Sequence, residues 1–442
     1  MRVITLILIC LAGLALRMDH AWEGSAENLD DSAAYERIAR GLHENGEFEQ
    51  AGPGTPAHPQ PASNYSPGLP LFVGGVFELA GDDDVRLARI VLALIGAAAI
   101  PVVFAVGRRL AGPAAGLTGA ALVAFYPTLI SNAGMLLTEP LAGTLLAGGV
   151  LAILRARDQT GLMAWAVAGL LLGLTTMVRP EYLIITPILA LTLILMELRG
   201  GFGHAVRPVA VLLLAVLVVI APWTVRNTIE YERVVPLSTG GGQTLFTGSY
   251  VPSNGNPTKV MPDLLEQNPV LKAEILRQNE KTGEGPESIT PERVFTLHAF
   301  QKLPRMKTDA ALSRLGRERY RDELIEDPVG LAGYLGRKTK RIWWRGQSGV
   351  IEEPLGRVAH WVIVVSGLTG LLLLATRRRP EFWIFAAILL MATVIGTILV
   401  ASPRRALVLW PLVSVLAGVG LTGAAELARE RLERRRRPVA IA

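Results

Sequence analysis

The sequence predicts an all-α protein that crosses a membrane about ten times. Half of its 442 residues are hydrophobic and the mean hydropathy is +0.38, which is too apolar for a soluble chain. The apolar residues also come in long runs, as membrane-spanning helices require. Arginines collect beside alternate runs, in the way the positive-inside rule describes. These three observations predict a polytopic helical membrane protein.

The first apolar run, Val3–Leu16, is short for a span. No small-x-small cleavage site follows it, so we expect an uncleaved anchor rather than a signal peptide. The other predicted spans are Leu87–Val106, Ala114–Ile130, Leu141–Leu154, Ala164–Val178, Tyr182–Met196, Val206–Ala221, Val358–Ala375, Phe382–Val400 and Ala406–Ala425. Leu69–Ala80 is also apolar but follows Pro67 and precedes an acidic triplet. We expect it to lie in the membrane interface.

Charge predicts the orientation. If the N-terminus is cytoplasmic, the basic clusters fall in cytoplasmic loops, and the short outside loop Ser131–Glu139 carries no Arg or Lys. The clusters are Arg108-Arg109, Arg155 with Arg157, Arg199 with Arg207, Arg377–Arg379 and Arg429–Arg437. Both termini are then expected in the cytoplasm of a plasma (inner) membrane. Four segments result: a transmembrane module 1–222 with a first outside loop 17–86, a long outside loop 223–357, transmembrane helices 358–425 and a basic cytoplasmic tail 426–442.

This layout excludes several classes of function. Each predicted cytoplasmic loop has about ten residues or fewer, whereas an independent domain needs about 50. No phosphate-binding glycine loop with a following Lys-Ser/Thr occurs. The net charge of +6 lies beside apolar runs, which indicates contact with lipid headgroups and not with nucleic acid. A single cysteine, Cys10, excludes an intrachain disulfide. Chemistry on the outer side would need an activated substrate carried by the membrane.

The first outside loop carries the strongest candidate site. Asp30 and Asp31 precede a short amphipathic helix, in which Tyr35, Ile38 and Ala39 recur at helical spacing. Two readings stay open for the adjacent carboxylates. They are either caps of a helix that starts near Ser32 or groups that carry out chemistry.

Further ionisable residues lie at the outer ends of predicted spans. Glu139 begins one apolar run, and two Pro-containing turns separate others. Those turns contribute Arg179 and Glu181, and Arg404 and Arg405. Charge at membrane depth is costly unless it is paired or lines a cavity. Each residue alone could mark an interfacial hairpin, but all fall on the predicted side of Asp31, which favours one polar cavity.

Several short motifs, in their order along the chain, carry a family resemblance. They are Asp31-Ser-Ala-Ala-Tyr35, Tyr65-Ser-Pro-Gly-Leu-Pro70, Thr138-Glu-Pro-Leu141, Val178-Arg-Pro-Glu181, Arg226-Asn227 and Val235-Pro-Leu-Ser-Thr-Gly-Gly-Gly242. The set resembles the bacterial membrane glycosyltransferases of the protein O-mannosyltransferase and aminoarabinose-transferase type, a family 39-like group with the GT-C fold. The resemblance extends from the first span to about Tyr250 and returns weakly at Pro403–Pro411. Between about 251 and 334 nothing is recognised.

The resemblance implies transfer of a sugar, with inversion, from a polyprenyl phosphate to a protein, lipid or glycan acceptor. The Asp-x-x-x-Tyr spacing then assigns the catalytic carboxylate to Asp31 rather than Asp30, with Glu139 as a second acidic residue of the site. A carboxylate can take the acceptor's proton as general base, and a phosphate leaving group needs no general acid. No cofactor or metal is expected, although the paired aspartates leave a divalent cation open.

The same resemblance implies a set of substrate-binding residues: Tyr35, Tyr65, Arg179, Glu181, Arg404 and Arg405. Some relatives carry a basic residue for the donor phosphate near the Pro-containing segment of the first loop, and Tyr65-Ser66-Pro67 has none. Arginine suits bidentate phosphate contact. The phosphate ligand is therefore expected to be Arg404, Arg405 or Arg179.

The long outside loop leaves alternatives open. Ser238–Gln243 is either a tight turn that approaches substrate or a flexible linker. Tyr334–Arg345 is basic with paired tryptophans, which favours an interfacial anchor over a grip on the lipid phosphate. A secondary transporter or a lipid-handling protein without transferase chemistry is the rival reading of the whole chain. A transporter would typically show repeated halves, which the sequence does not.

Overall fold

The computed structural model describes residues 1–25, 30–49, 64–159, 161–254, 256–282, 289–344 and 354–436. Within these ranges the chain forms nineteen α-helices and no strand, which confirms the predicted all-α class. In chain order they are α1 (Arg2–Glu23), α2 (Asp30–Asn45), α3 (Gly68–Ala80), α4 (Val85–Phe125), α5 (Pro127–Ser131), α6 (Thr138–Ala156), α7 (Met163–Val178), α8 (Tyr182–Glu197), α9 (Phe202–Tyr231), α10 (Gly241–Gly248), α11 (Val260–Gln267), α12 (Pro269–Thr282), α13 (Pro291–Lys302), α14 (Thr308–Glu326), α15 (Pro328–Trp344), α16 (Pro354–Thr376), α17 (Glu381–Ile398), α18 (Pro403–Leu407) and α19 (Trp410–Arg436).

Seven of the helices in the described ranges are long and apolar enough to cross a membrane: α1, α4, α6, α9, α16, α17 and α19. Their outward faces carry large apolar side chains, among them Leu8, Leu217 and Leu368, as lipid contact requires. Two more predicted spans are helices α7 and α8, of 16 residues each. Helix α3 has 13 residues, or about 20 Å at 1.5 Å per residue, and is too short to cross about 30 Å of hydrocarbon.

Helix α4 contains the predicted span Leu87–Val106 and residues 114–125 of the predicted span Ala114–Ile130, because the helix ends at the extended Tyr126. Its backbone leaves helical geometry at Ala111 and at Gly112, where φ is +87°, a value that glycine adopts without strain. The segments before and after this break pack face to face, since a Cβ on Gly116 would lie 2.6 Å from the Phe104 carbonyl oxygen. The break therefore turns the chain back on itself. Arg108 and Arg109 lie beside it.

Three of the predicted cytoplasmic loops contact one another at one end of the bundle. Arg109 pairs with Asp158, which follows α6. Arg157 Nε lies 2.7 Å from Glu197 Oε1 at the end of α8. Residues that charge alone assigned to one side of the membrane are thus in contact. The identity of that side stays a prediction.

Helix α1 departs from the sequence expectation. The run predicted to stop before Arg17 continues as helix to Glu23. Arg17 is 2% exposed and donates hydrogen bonds to the carbonyls of Gly13, Val123 and Ala124. Arg17 therefore lies within helix α1, and the boundary of the first outside loop at residue 17 stays a prediction. Backbone carbonyls accept hydrogen bonds from the buried guanidinium, which offsets the cost of burying it. Hydropathy cannot detect these partners, because they lie elsewhere in the sequence.

Helices α10 to α14 form a separate layer with its own hydrophobic core. Phe246, Val260, Leu271, Phe295 and Leu312 are among its buried residues. This is the segment in which the sequence showed no family resemblance. It folds around local apolar faces, much as a small soluble helical domain does.

Two expectations for the long loop need correction. Gly240 is followed directly by helix α10. A Cβ on Gly240 would lie 2.6 Å from the Asn64 carbonyl oxygen, and one on Gly242 would overlap the Asp309 carbonyl. The glycines allow close packing, so the segment is not a flexible linker.

The basic segment before the last spans is also not a uniform surface anchor. Lys338 is 1% exposed, and its ammonium contacts the carbonyls of Gly248 and Ile398 and the Tyr320 hydroxyl. Trp343 Nε1 donates to Thr393 Oγ1 in α17 at 3.1 Å, while Trp344 stays half exposed. Helix α19 continues as one helix to Arg436, so residues 426–436 of the predicted tail are helical, and the side on which they lie stays a prediction.

Candidate active site

Helix α2 presents Asp31 to the membrane bundle. Its apolar face is buried, with Ile38 and Ala39 fully excluded from solvent. Next to Asp31, the Ser32 hydroxyl accepts a hydrogen bond from Leu136 N at 3.1 Å. That contact joins the start of α2 to the segment just before α6. Asp31 therefore faces the first turn of α6.

Glu139 lies in that first turn of α6, with a side chain that is 0% exposed. A carboxylate is favoured at a helix N-terminus, because the free backbone N–H groups there carry partial positive charge. Two arginines complete its neutralisation. Arg404 Nε lies 2.9 Å and Arg179 Nη2 lies 2.8 Å from Glu139 Oε1. Such pairing is what a buried carboxylate requires.

Arg404 is the central cation of the site. Its Nη1 lies 2.6 Å from Asp31 Oδ2, while its Nε contacts Glu139. The Ser402 hydroxyl accepts a hydrogen bond from Arg404 N at 3.3 Å and so starts the short helix α18. Burial acts to lower the pKa of Arg404, but the neighbouring Glu139 and Asp31 carboxylates raise it above its ordinary value overall. Arg404 is therefore a permanent positive charge between two acids.

A second arginine–glutamate group adjoins the first. Arg179 Nη1 is 3.9 Å and Arg405 Nη1 is 3.6 Å from Glu181 Oε1. The Ser66 hydroxyl donates to the Val178 carbonyl at 2.8 Å, which attaches the first loop to the residue before Arg179. Segments distant in the chain are thereby held together.

Tyr35 and Tyr65 close the site on the α2 side. Their rings meet edge to face with centroids 5.5 Å apart, and Tyr35 is 8% exposed. Burial raises the pKa of Tyr35, as do Asp31 and Glu139, while Arg179 and Arg404 oppose them. The Tyr35 phenol stays protonated at neutral pH and can serve as a hydrogen-bond donor.

The site holds equal numbers of positive and negative side chains, but its carboxylates differ in how far they are exposed. Three carboxylates, Asp31, Glu139 and Glu181, face three guanidinium groups, Arg179, Arg404 and Arg405. The Asp31 side chain is 45% exposed while that of Glu139 is 0% exposed. Asp31 is accordingly the acid that an incoming molecule can reach. Glu139 is placed to hold the arginines.

Two arginines retain capacity for an anion. Arg179 Nε is buried and has no hydrogen-bond partner among the described residues. Arg405 donates from Nε to the Val400 carbonyl at 2.8 Å, and its ion pair with Glu181 is long. Arg404, in contrast, is already shared between two carboxylates. In the described part of the chain no group of three or more His, Cys, Asp and Glu side chains is arranged to hold a metal ion.

The structure thus brings together most of the residues that the sequence singled out. Asp31, Glu139 and the three arginines form one cluster with Glu181, and Tyr35 and Tyr65 lie beside it. The side chain of Asp30 lies outside the described residues. Sequence reasoning missed the serines that position the cluster, Ser32, Ser66 and Ser402. Of these, only Ser402 had a local signal, as a cap before Pro403.

Part of the chain matches a known family. Residues 58–225 match the family described as dolichyl-phosphate-mannose-protein mannosyltransferase. The matched segment contains Tyr65, Glu139, Arg179 and Glu181. No curated protein sequence matches the chain.

Solved membrane-protein structures share the fold. The archaeal oligosaccharyltransferase AglB from Archaeoglobus fulgidus, in complex with an inhibitory peptide and a dolichol-phosphate, is 15% identical with a TM-score of 0.56, over 100% of this chain and 52% of that one. The apo oligosaccharyltransferase from the same organism is 16% identical with a TM-score of 0.56, over 98% and 52%. The chain therefore spans about half the length of these relatives. ArnT from Cupriavidus metallidurans bound to undecaprenyl phosphate covers 95% and 78% at 15% identity, but its TM-score of 0.42 is too low to carry an argument.

The fold and the family match agree with the resemblance seen in the sequence motifs. The chain has seven candidate membrane spans in its described ranges, shares the helical fold of these solved structures, and over residues 58–225 is similar to the dolichyl-phosphate-mannose-protein mannosyltransferase family.

Proposed function

We propose that the chain is an integral-membrane glycosyltransferase that moves a sugar from a polyprenyl-phosphate donor to an acceptor, on the extracytoplasmic side of the plasma (inner) membrane. The observation that carries the proposal is the pair of acids on Arg404. One of them, Asp31, is exposed and the other, Glu139, is buried. This division gives a base that substrate can reach and a fixed electrostatic scaffold behind it. The dolichol-phosphate in AglB and the family's name support a lipid-phosphate donor.

In the proposed reaction Asp31 is the general base. The acceptor's hydroxyl or amine loses its proton to the Asp31 carboxylate as its oxygen or nitrogen bonds to the anomeric carbon. The bond from that carbon to the phosphate oxygen breaks at the same time, so the configuration inverts and polyprenyl phosphate leaves. Arg404 holds Asp31 at 2.6 Å and thereby orients the carboxylate. The reaction as proposed uses no metal or cofactor.

The donor phosphate is proposed to bind Arg405 and Arg179. These two guanidinium groups are less committed than Arg404, and arginine can contact phosphate oxygens in pairs. Negative charge grows on the phosphate as the sugar leaves, and fixed cations stabilise that charge. Tyr35 and Tyr65 lie next to the cluster and are proposed to contact the sugar. The acceptor is a protein, lipid or glycan.

The test uses the purified chain in lipid nanodiscs with a panel of radiolabelled polyprenyl-phosphate sugars. A crude extract of cell-envelope proteins, lipids and glycans supplies the acceptor, so release of free polyprenyl phosphate reports turnover without knowledge of which molecule receives the sugar. Asp31→Asn is expected to lower kcat by about 10²–10⁴-fold, the usual contribution of a general base. Asp158→Asn removes a carboxylate that pairs with Arg109 at the opposite end of the bundle, and it should keep wild-type activity.

Wild-type turnover by a folded Asp31→Asn protein would remove Asp31 from this role. Turnover by neither protein with any donor of the panel would argue for the rival class of lipid-handling or transport proteins. A chelator should leave the rate unchanged, and a chelator-sensitive rate would show that a divalent ion takes part.

A further inference from the structure

A cavity of about 760 Å³ lies in the outer helical layer, away from the residues of the candidate active site. Its walls come from the segment after α10 and from α11, α13 and α14. This size falls within the range of about 300–1,000 Å³ that small-molecule sites usually have. The cavity lies in the part of the chain whose sequence resembled no family.

Three buried polar atoms on its walls lack partners. Tyr250 Oη, His298 Nδ1 and Arg319 Nη1 have no hydrogen bond to any residue that the structure describes. Tyr250 is 4% and His298 is 6% exposed. The Gln267 amide lies near the Tyr250 hydroxyl without meeting hydrogen-bond geometry. Native proteins rarely leave such atoms unsatisfied, and three in one cavity indicate that another molecule supplies the partners.

Flat apolar surfaces lie beside these atoms. The Arg319 guanidinium carbon is 4.2 Å from the centre of the Phe246 ring and 5.0 Å from that of Tyr250. The rings of Phe246 and His298 have centroids 5.5 Å apart. These ring contacts fix the position of the guanidinium, so its unpartnered Nη1 donor is held in place. Phe246 is fully buried behind the wall, so the rings that the cavity itself presents are those of Tyr250 and His298, next to the Arg319 donor.

The remaining wall residues supply acceptors as well as donors. Glu318, Asp322 and Glu323 line the cavity together with Lys302. Two of these acids also have arginine partners, since Glu318 Oε1 lies 2.8 Å from Arg314 Nε and Asp322 Oδ1 lies 2.8 Å from Arg321 Nη2. An anionic ligand would meet repulsion from the three acids. A hydrocarbon chain would leave the buried polar atoms unpaired. A neutral molecule whose hydroxyls both donate and accept, and whose C–H faces can lie on rings, fits all of these groups.

We propose that this cavity binds a neutral carbohydrate and so gives the chain a second sugar-binding site, separate from the Asp31–Arg404 cluster. Sugar hydroxyls would accept from Tyr250 and Arg319 and would donate to the carboxylates and to neutral His298. Burial, with help from the positive charges of Arg319 and Lys302, lowers the pKa of His298 to about 4, so its ring is neutral at physiological pH. This site involves no transfer chemistry.

The direct test is binding of neutral trisaccharides to the full chain in phosphatidylcholine nanodiscs, because maltoside and glucoside detergents would compete. Maltotriose, mannotriose and chitotriose are titrated by calorimetry and by saturation-transfer NMR, with trigalacturonate as the anionic comparison. At least one neutral sugar should bind saturably and more tightly than trigalacturonate. No donor is present, so the outcome does not depend on the proposed transferase activity.

Variants locate the binding. Tyr250→Phe removes only an unpartnered hydroxyl, so the fold should be kept while sugar affinity falls about tenfold, or about 1.4 kcal/mol. Arg319→Gln should weaken binding further. Tyr320→Phe is the matched control, because its hydroxyl donates to the Gly248 and Ile398 carbonyls outside the cavity and affinity should stay unchanged. Asp31→Asn should also bind normally.

Three results would overturn the proposal. The first is that no neutral sugar binds saturably at concentrations up to about 20 mM. That concentration is far above a dissociation constant of about 1 mM, which a few hydrogen bonds are enough to give. The second is tighter binding of trigalacturonate than of the neutral sugars. The third is a folded Tyr250→Phe protein that binds with unchanged affinity, since the hydroxyl would then contact no ligand.

Discussion

The cluster around Arg404 and the cavity around Arg319 use the same residue types in opposite ways. In the cluster every described carboxylate has a guanidinium partner, and Arg404 serves two acids at once. In the cavity the Arg319 guanidinium lies on aromatic rings and keeps a buried nitrogen without a partner. The comparison shows that pairing within the protein yields a rigid, pre-charged site, whereas unpaired buried groups leave binding capacity for another molecule.

The largest difference is expected from breaking the paired cluster. Glu139→Gln would leave Arg179 and Arg404 close together in a buried place without their shared counter-charge. Loss of one member of a buried pair costs about 3–5 kcal/mol. Denaturant unfolding in mixed micelles measures the change. Glu274→Gln, which removes an exposed partner of Arg277, should cost about 0–1 kcal/mol. Equal losses would mean that the cluster's burial does not strengthen its pairing.

A smaller effect is expected at the least committed arginine of the cluster. Arg405→Lys keeps the charge but loses the planar pair of donors that suits phosphate. We expect KM for the polyprenyl-phosphate donor to rise about tenfold, or about 1.4 kcal/mol, with a smaller change in kcat. Arg377→Lys, at an exposed pair with Glu426, is the control and should match wild type. A fall in kcat alone would place Arg405 away from the bound phosphate.

The pH dependence of stability tests Lys338, a buried cation outside both regions. Burial lowers the pKa of Lys338 to about 7 from 10.5, and the charge of Arg405 acts in the same direction. Between these pH values the unfolded chain holds one more proton than the folded chain. The free energy of unfolding should therefore rise as pH increases through this window, by at most about 1.4 kcal/mol per pH unit. Below about pH 7 Lys338 is protonated in both states, so it adds nothing to the slope of stability against pH. The slope should be lost in Lys338→Met, and an unchanged slope there would assign it to another group.

The smallest change in stability is expected in the ligand-free cavity, where a substitution should stabilise the protein. Tyr250→Phe removes a buried hydroxyl that has no partner in the described chain, so the ligand-free protein should be stabilised by up to about 1 kcal/mol. Tyr334→Phe should be destabilised by about 1 kcal/mol, since the Tyr334 hydroxyl donates to the Gly248 carbonyl at 2.9 Å. Thermal unfolding of both variants without sugar tests the pair. Destabilisation of Tyr250→Phe would show that its hydroxyl already has a partner.

The membership of the charged cluster could be predicted because charges at the ends of apolar runs are rare and costly. Its connections could not. Arg404 is 373 residues from Asp31 and 265 from Glu139, so no local pattern shows which carboxylate meets which guanidinium. Sequence alone also gave no measure of exposure for Asp31 and Glu139, whereas packing leaves the first exposed and the second buried.

The cavity residues had no comparable signal. Tyr250, His298 and Arg319 lie on separate helices or loops, and each is ordinary in a soluble helical segment. Lys338 shows the same limit, since a basic run beside tryptophans resembles a membrane anchor until the fold buries one of its members. Arg17 does too, because its backbone partners at Val123 and Ala124 belong to another helix.

The sequence by itself determined the helical class, the apolar runs, the loops that share a side and the family resemblance. Hydropathy and charge are properties of local stretches of sequence, so these features can be read without knowing which distant residues meet. Only the tertiary structure decided which acid can meet a substrate, which arginines stay available and where unpartnered polar atoms gather. Those properties depend on burial and on partners from distant segments, and the free energy of a buried charge is set by the groups that surround it in space.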